Sequence, residues 1–265
     1  MFLTTMACLG TLAAHAQTES WDVYTKTLSR GKASYMIDMG LAAEAPVKGI
    51  GYLVITGVKT QTCTDEGLPD SQEFQGLYKV SDAVIPAIGM KTTFRYAGTC
   101  TYQCERLDYF YVRDTTGIRT ALEKVYRDQF RDYTSQIQIK ADAAWDTYFK
   151  FLYPDAMTVE YIRNRKMVQE LKVKGIDPDV EHTIQYSFMF TADTGIDAFM
   201  TEAAKLGLKL YQRPSRIKNG KLVQYPLLLT GPSKTGLGDI SQITLQLSDL
   251  CAKYNGTLQG WELAK

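Results

Sequence analysis

Histidine is nearly missing from this chain, with two in 265 residues, and one of them, His15, lies in a leader-like segment. That leaves His182 alone, which excludes Ser-His and Cys-His catalysis unless His182 is the base, and excludes histidine-rich metal sites. Standing beside Glu181, it reads as a structural residue. The five cysteines lack the paired spacing of a zinc site, so no metal is expected. Beyond the first residues, no stretch approaches the ~20 consecutive apolar residues of a membrane span. An excess of one charge is missing as well: the formal net charge is +1, too small for a global field that would gather nucleic acid or an anionic membrane. Phosphate loops are absent too. Gly231-Pro232-Ser233-Lys234-Thr235-Gly236 has the ingredients of a P-loop in the wrong order, and the glycines around Gly49 and Gly51 do not complete a dinucleotide fingerprint. No cofactor is expected.

What is present suits a folded, exported protein. With 45% hydrophobic and 22% charged residues, the chain can bury a sizeable core and is most economically read as two domains. Residues 1–16 carry no acidic or basic side chain, run apolar through Phe2, Leu3, Met6, Leu9 and Leu12, and end in Ala14-His15-Ala16. That is the h-region and cleavage site of a signal peptide, although the positive n-region is missing. Cys8 raises a lipoprotein alternative, which Thr5 disfavours where an aliphatic residue is wanted. Cleavage after Ala16 leaves a soluble periplasmic or secreted protein with Cys63, Cys100, Cys104 and Cys251, in a compartment where disulfides persist. Cys251 follows the helical series Ile240, Ile243, Leu247 and reads as a core thiol. Cys100 and Cys104, about 13 Å apart in an extended strand, cannot bond each other. Cys63 is left to pair with Cys100 or Cys104.

The pattern along the chain gives a mixed α/β domain over 17–155, a helical connector over 156–180, and a second domain over 181–265. Trp21, Tyr24 and Leu28 suggest a short helix over Glu19–Arg30. Strands follow at Ser34–Leu41 and Gly51–Thr60, then a helix from about Ser71 that Pro86 ends. Lys91–Val112 is dense in aromatics, and its apolar parity switches after Arg106, which calls for a bulge near Glu105 or a turn at Ala97-Gly98. A helix over Gly117–Tyr133, a strand at Ile137 and Ile139, and a helix containing Trp145 and Leu152 complete the domain. The connector is rich in Arg163, Arg165, Lys166, Lys172 and Lys174. Beyond it the order is strand, helix, strand, strand, helix, strand, with a tight turn near Lys218-Asn219-Gly220 and Asp239 as helix cap. The fold class is therefore α+β: a C-terminal ferredoxin-like βαββαβ domain preceded by a mixed α/β domain.

Leu206-Gly207, Tyr254-Asn255-Gly256 and the closing Gly260-Trp261-Glu262 give the C-terminal part a look that resembles the regulator of ribonuclease E activity B family. Trp21 with Tyr24, the Gly67-Leu68-Pro69 loop and the run Tyr102-Gln103-Cys104-Glu105-Arg106-Leu107-Asp108-Tyr109 resemble the bacterial domain-of-unknown-function family 695, members of which carry this C-terminal partner. The first resemblance implies the fold and a domain that works by binding another macromolecule. The second implies no activity.

Two constellations could carry function. Asp38, Glu105 and Asp108 are carboxylates near aromatic residues, the ingredients of glycoside cleavage if two of them meet beside a sugar platform. Ion pairing or a solvated strand face is the favoured account of them. The second is electrostatic. Between Ala203 and Gly238 lie seven basic and no acidic residues, and a hairpin holding Arg213, Arg216, Lys218 and Lys221 could meet an anionic ligand or an acidic envelope protein. Lysine-rich hairpins also serve simply to prevent edge pairing. The reading is an exported bacterial protein that binds or regulates without catalysis. The alternatives are a carboxylate-dependent hydrolase of an extracellular polymer, and a structural protein whose partner is a second copy.

Overall fold

The computed structural model describes residues 19–212, 216–219 and 222–264. The leader segment and two of the hairpin cations, Arg213 and Lys221, lie outside the described residues. At the start of the described chain, extended backbone wins over helical spacing. Trp21, Tyr24 and Leu28 fit a helix, but Val23, Thr25 and Thr27 are β-branched, and the segment forms strand β1 (Trp21–Leu28). It pairs with β2 (Gly31–Asp38), Leu28 facing Gly31 across a tight reversal. Tyr24 then stacks on Tyr35 at 4.8 Å and donates its hydroxyl to the Leu152 carbonyl.

Two compact units divide the chain at residues 153 and 154. The first is one antiparallel sheet in the order β1-β2-β4-β5-β3-β6, adding β3 (Tyr52–Lys59), β4 (Phe94–Tyr102), β5 (Glu105–Val112) and β6 (Thr134–Ala141). Helices α1 (Phe74–Gly89) and α2 (Ile118–Gln129) pack on one face, over Val54, Val58, Phe110 and Val112. Pro86 lies inside α1 and does not end it; the helix runs three residues further and the Met90 amide closes on the Pro86 carbonyl. The opposite face takes the alternate residues of β5. Tyr111 stacks on Trp145 with centroids 3.8 Å apart, and the Trp145 indole donates to the Ile50 carbonyl. The expected helix here is only a π-helical turn, Tyr148–Leu152.

The parity switch in the aromatic stretch has neither expected cause. The chain reverses at Gln103-Cys104, both left-handed (φ 54° and 62°), and the bulge sits between Tyr96 and Gly98. Paired positive φ is the signature of a primed hairpin turn that glycine and asparagine usually fill. Here tertiary bonds hold it. Cys104 is joined to Cys63 by a disulfide, its amide donates to the Gly67 carbonyl, and its own carbonyl accepts from the Thr60 amide. The 62–70 loop is anchored in turn by Glu73, which accepts from the amides of Gln61 and Thr62 and from the Tyr133 hydroxyl.

The second unit opens with α3 (Ala156–Val173), followed by β7 (Glu181–Phe190), α4 (Ile196–Lys205), β8 (Lys209–Gln212), β9 (Ile217–Asn219), β10 (Leu222–Lys234), α5 (Leu237–Ala252) and β11 (Gly256–Leu263). Its sheet runs β11-β7-β10-β8, with every pair antiparallel. The segment read as a connector is therefore part of this unit: Val168 and Leu171 of α3 join one core with Phe188, Phe199, Leu227, Leu247 and Trp261. Gly236, not Asp239, occupies the cap position of α5, with Asp239 in the first turn. His182 is half-buried, with Nε2 3.1 Å from the Asp177 carbonyl oxygen.

Candidate functional site

Asp108 stands in the middle of β5, almost wholly buried beneath α1. Three hydroxyls supply what burial of a carboxylate demands: Ser81 donates to Oδ2 at 2.7 Å, while Tyr96 and Thr99 donate to Oδ1 at 2.8 Å each. Burial, and then the Asp108 charge, push the Tyr96 phenol well above its ordinary range. Asp38 closes β2, and its Oδ1 accepts the amides of Ser20 and Gly40, each at 2.9 Å, capping a short 3-10 turn. Glu105 begins β5 and accepts from Gln136 Nε2 at 3.0 Å.

These three carboxylates are not brought together. Glu105 and Asp108, an odd number of residues apart in one strand, project from opposite faces. Asp38 and Asp108 lie on strands separated by β4, a backbone distance on the order of 10 Å. Each is engaged by different donors.

The structure does form a cleft that sequence reasoning missed. Glu19, Trp21, Asp38, Ile85, Phe94, Arg95 and Tyr96 enclose about 460 Å³. Trp21 and Tyr96 meet at 5.2 Å between ring centroids, and Tyr96 stacks on Phe110 beneath it at 4.7 Å. The Trp21 indole donates to Glu19 Oε2 at 3.1 Å. Arg95 Nε is buried without an acceptor, an unmet donor that costs about 1–3 kcal/mol unless something supplies one. Four separated stretches of chain contribute to the cleft, so no local motif announces it.

In the second unit, β10 outruns its neighbours. It pairs with β7 and β8 over its C-terminal part, then with β9 at its N-terminal end, where Asn219 faces Leu222. Arg216 and Lys218 on this arm are exposed with Ile217, as are Lys209, Leu210 and Tyr211 on β8. None of these three cations is in an ion pair among the described residues.

A tandem of two antiparallel-sheet units with helices defines an α+β protein. Residues 19–153, just over half of the chain, match the family of unknown function DUF695, and the chain belongs to that family. Residues 161–263 match the family described as regulator of ribonuclease activity B. Both resemblances drawn from the sequence are thereby shown. No curated protein matches the chain. A solved structure provisionally described as a glycine cleavage system transcriptional repressor aligns at 14% identity over 81% of this chain and 98% of its own, with a TM-score of 0.24, too low to carry an argument. Among the described residues no helix is long and apolar enough to cross a membrane, and no His, Cys, Asp and Glu group could hold a metal ion.

Proposed function

We propose that this is an exported, non-enzymatic binding or regulatory protein of the bacterial envelope, in which a ferredoxin-like second unit engages an acidic face of a partner protein through its basic arm. The arm carries this reading: cations in no ion pair among the described residues, with exposed Leu210, Tyr211 and Ile217 on the same strands, offer the mixture of charge and apolar area that a protein interface uses. Support for the fold name comes from the strand order β11-β7-β10-β8, which in the unit's own numbering is the fourth, first, third and second strand of a βαββαβ chain. The second unit's family is described as a regulator, and its mode, action by binding, is what carries over. Export is supported by the leader-like residues 1–16 and by the Cys63–Cys104 disulfide, since such bonds persist outside the reducing cytoplasm.

The test is cross-linking of the mature chain in its native envelope, wild type against a variant with Arg213, Arg216, Lys218 and Lys221 changed to glutamine. The expected result is a specific acidic partner recovered by wild type, lost from the variant, and weakened by salt. Equal recovery by both chains would remove the arm from the mechanism, and a cross-link only to a second copy would replace the partner by self-association.

A further inference from the structure

The walls of the Trp21–Tyr96 cleft combine both signs of charge with an aromatic floor. Asp38 spends Oδ1 on two backbone amides and Glu19 spends Oε2 on the Trp21 indole, which leaves one oxygen of each carboxylate without a donor among the described residues. Arg95 makes one long bond, 3.4 Å from Nη1 to the carbonyl of its neighbour Phe94, while its buried Nε has no acceptor. No ion pair joins Arg95 to Glu19 or Asp38 among the described residues. Ile85, Phe94, Trp21 and Tyr96 supply the rest of the lining. Because the Tyr96 hydroxyl is committed to Thr99 and Asp108, the residue offers the cleft a ring fixed in place and no phenol.

We propose that this cleft binds an organic ammonium compound with an apolar body and an adjacent carboxylate or carbonyl, the chemistry shared by a free α-amino acid and the amino terminus of a peptide. The ammonium sits against Glu19 and Asp38, where the aromatic rings add cation–π attraction. The carboxylate or carbonyl accepts from Arg95, and the side chain lies among Ile85, Phe94 and Trp21. The lining carries two negative charges and one positive, which favours such a ligand over a phosphate or a simple anion. The volume of about 460 Å³ falls within the range of small-molecule sites. This site is independent of the basic arm and survives the failure of that reading.

Calorimetric titration of the full mature chain with L-phenylalanine, N-acetyl-L-phenylalanine and the dipeptide Phe-Gly tests it. Saturable binding of L-phenylalanine is expected, weakened about tenfold or more by N-acetylation, by Glu19→Gln and by Arg95→Gln. Glu19 is exposed, so its variant keeps the test open if the Arg95 variant does not fold. Binding of the dipeptide as well identifies a peptide terminus as the source, and its exclusion identifies a free amino acid. Absence of saturable binding of all three up to about 10 mM, or binding indifferent to both N-acetylation and Glu19→Gln, overturns the proposal.

Discussion

In the first unit both faces of the sheet are covered, by α1 and α2 on one side and by the Trp145–Leu152 segment on the other. In the second, α3, α4 and α5 share a single core with one face of β7, β10 and β11, and the alternate residues Gln185, Ser187 and Met189 project from the other face. The units also bury polarity differently. The first places a carboxylate inside its sheet, Asp108 under three hydroxyls. The second places an amide in a helix seam: Asn164 of α3 donates to Ser241 and Thr244 of α5 and accepts from the Trp261 indole at 2.7 Å. A charge within a sheet commits several strands at once, whereas an amide in a seam commits one helix to its neighbours. The first unit is therefore the more exposed to single substitutions.

Each unit contains its own probe for testing this. Cys100 in the first and Cys251 in the second are buried free thiols, pushed by burial up to about 11 and about 12 respectively. Neither reacts with an alkylating reagent until its unit opens. The largest effect is expected from the disulfide. Its cysteines lie 41 residues apart, a loop whose closure is worth about 4 kcal/mol in the chain-entropy account. Cys63→Ser with Cys104→Ser should therefore accelerate labelling at Cys100 and leave Cys251 protected. Equal acceleration at both would show that the two units open as one.

Next in size is Asp108→Ala, which strips the acceptor from Ser81, Tyr96 and Thr99 and should destabilise the first unit by about 3 kcal/mol, read by denaturant unfolding with labelling at Cys100. Asn164→Ala should cost the second unit about 2 kcal/mol by orphaning the Trp261 indole and two hydroxyls, read at Cys251. If the order of these two losses is reversed, the contrast between sheet and seam is wrong.

Much of the second unit was legible because its strands alternate, its apolar helices repeat at three and four, and its turns carry glycine. α3 was not, because its buried face includes Glu160 and Asn164 beside Ile162, Val168 and Leu171, so the pattern of a surface helix concealed a core one. β1 was misread because three aromatic and apolar residues happened to fit a helical spacing, while the deciding interaction, Tyr24 on Tyr35, lies across strands. The Gln103-Cys104 reversal lacked the glycine or asparagine that marks such turns, since a disulfide and two tertiary hydrogen bonds hold it instead. Asp38 stood out in the sequence only as a possible catalytic carboxylate, and the cleft it lines was not legible, because Glu19, Ile85 and Arg95 meet it only after folding.

The smallest expected effect has opposite signs in the two units. Asp142 in the first is partly buried, which works against its charge, but hydrogen bonds from the Tyr111 hydroxyl and the Thr147 amide outweigh this and hold its carboxyl below the usual aspartate value of 3.8. Its folded pKa is depressed, so its contribution is present above that value and lost as pH falls through the folded one. Glu160 in the second is the reverse. Burial dominates and raises it above 4.5, only partly countered by Arg163 at 3.7 Å and by Thr244. Below 4.5 the protonated form gives the second unit a stabilisation that disappears as pH rises through the raised folded pKa. On acidification from neutrality, opening at Cys251 should first become slower, relative to a Glu160→Gln variant that lacks the trend. Opening at Cys100 should quicken only below about pH 4, and Asp142→Asn should flatten that rise. Thiol-disulfide reagents lose reactivity in acid, so the rates are compared with an unfolded peptide carrying the same cysteine at each pH. A second unit whose opening quickens between neutrality and 4.5 in wild type but not in Glu160→Gln would mean that Glu160 is held ionised by the fold, and that α3 lies against α5 through a charge and not in spite of one.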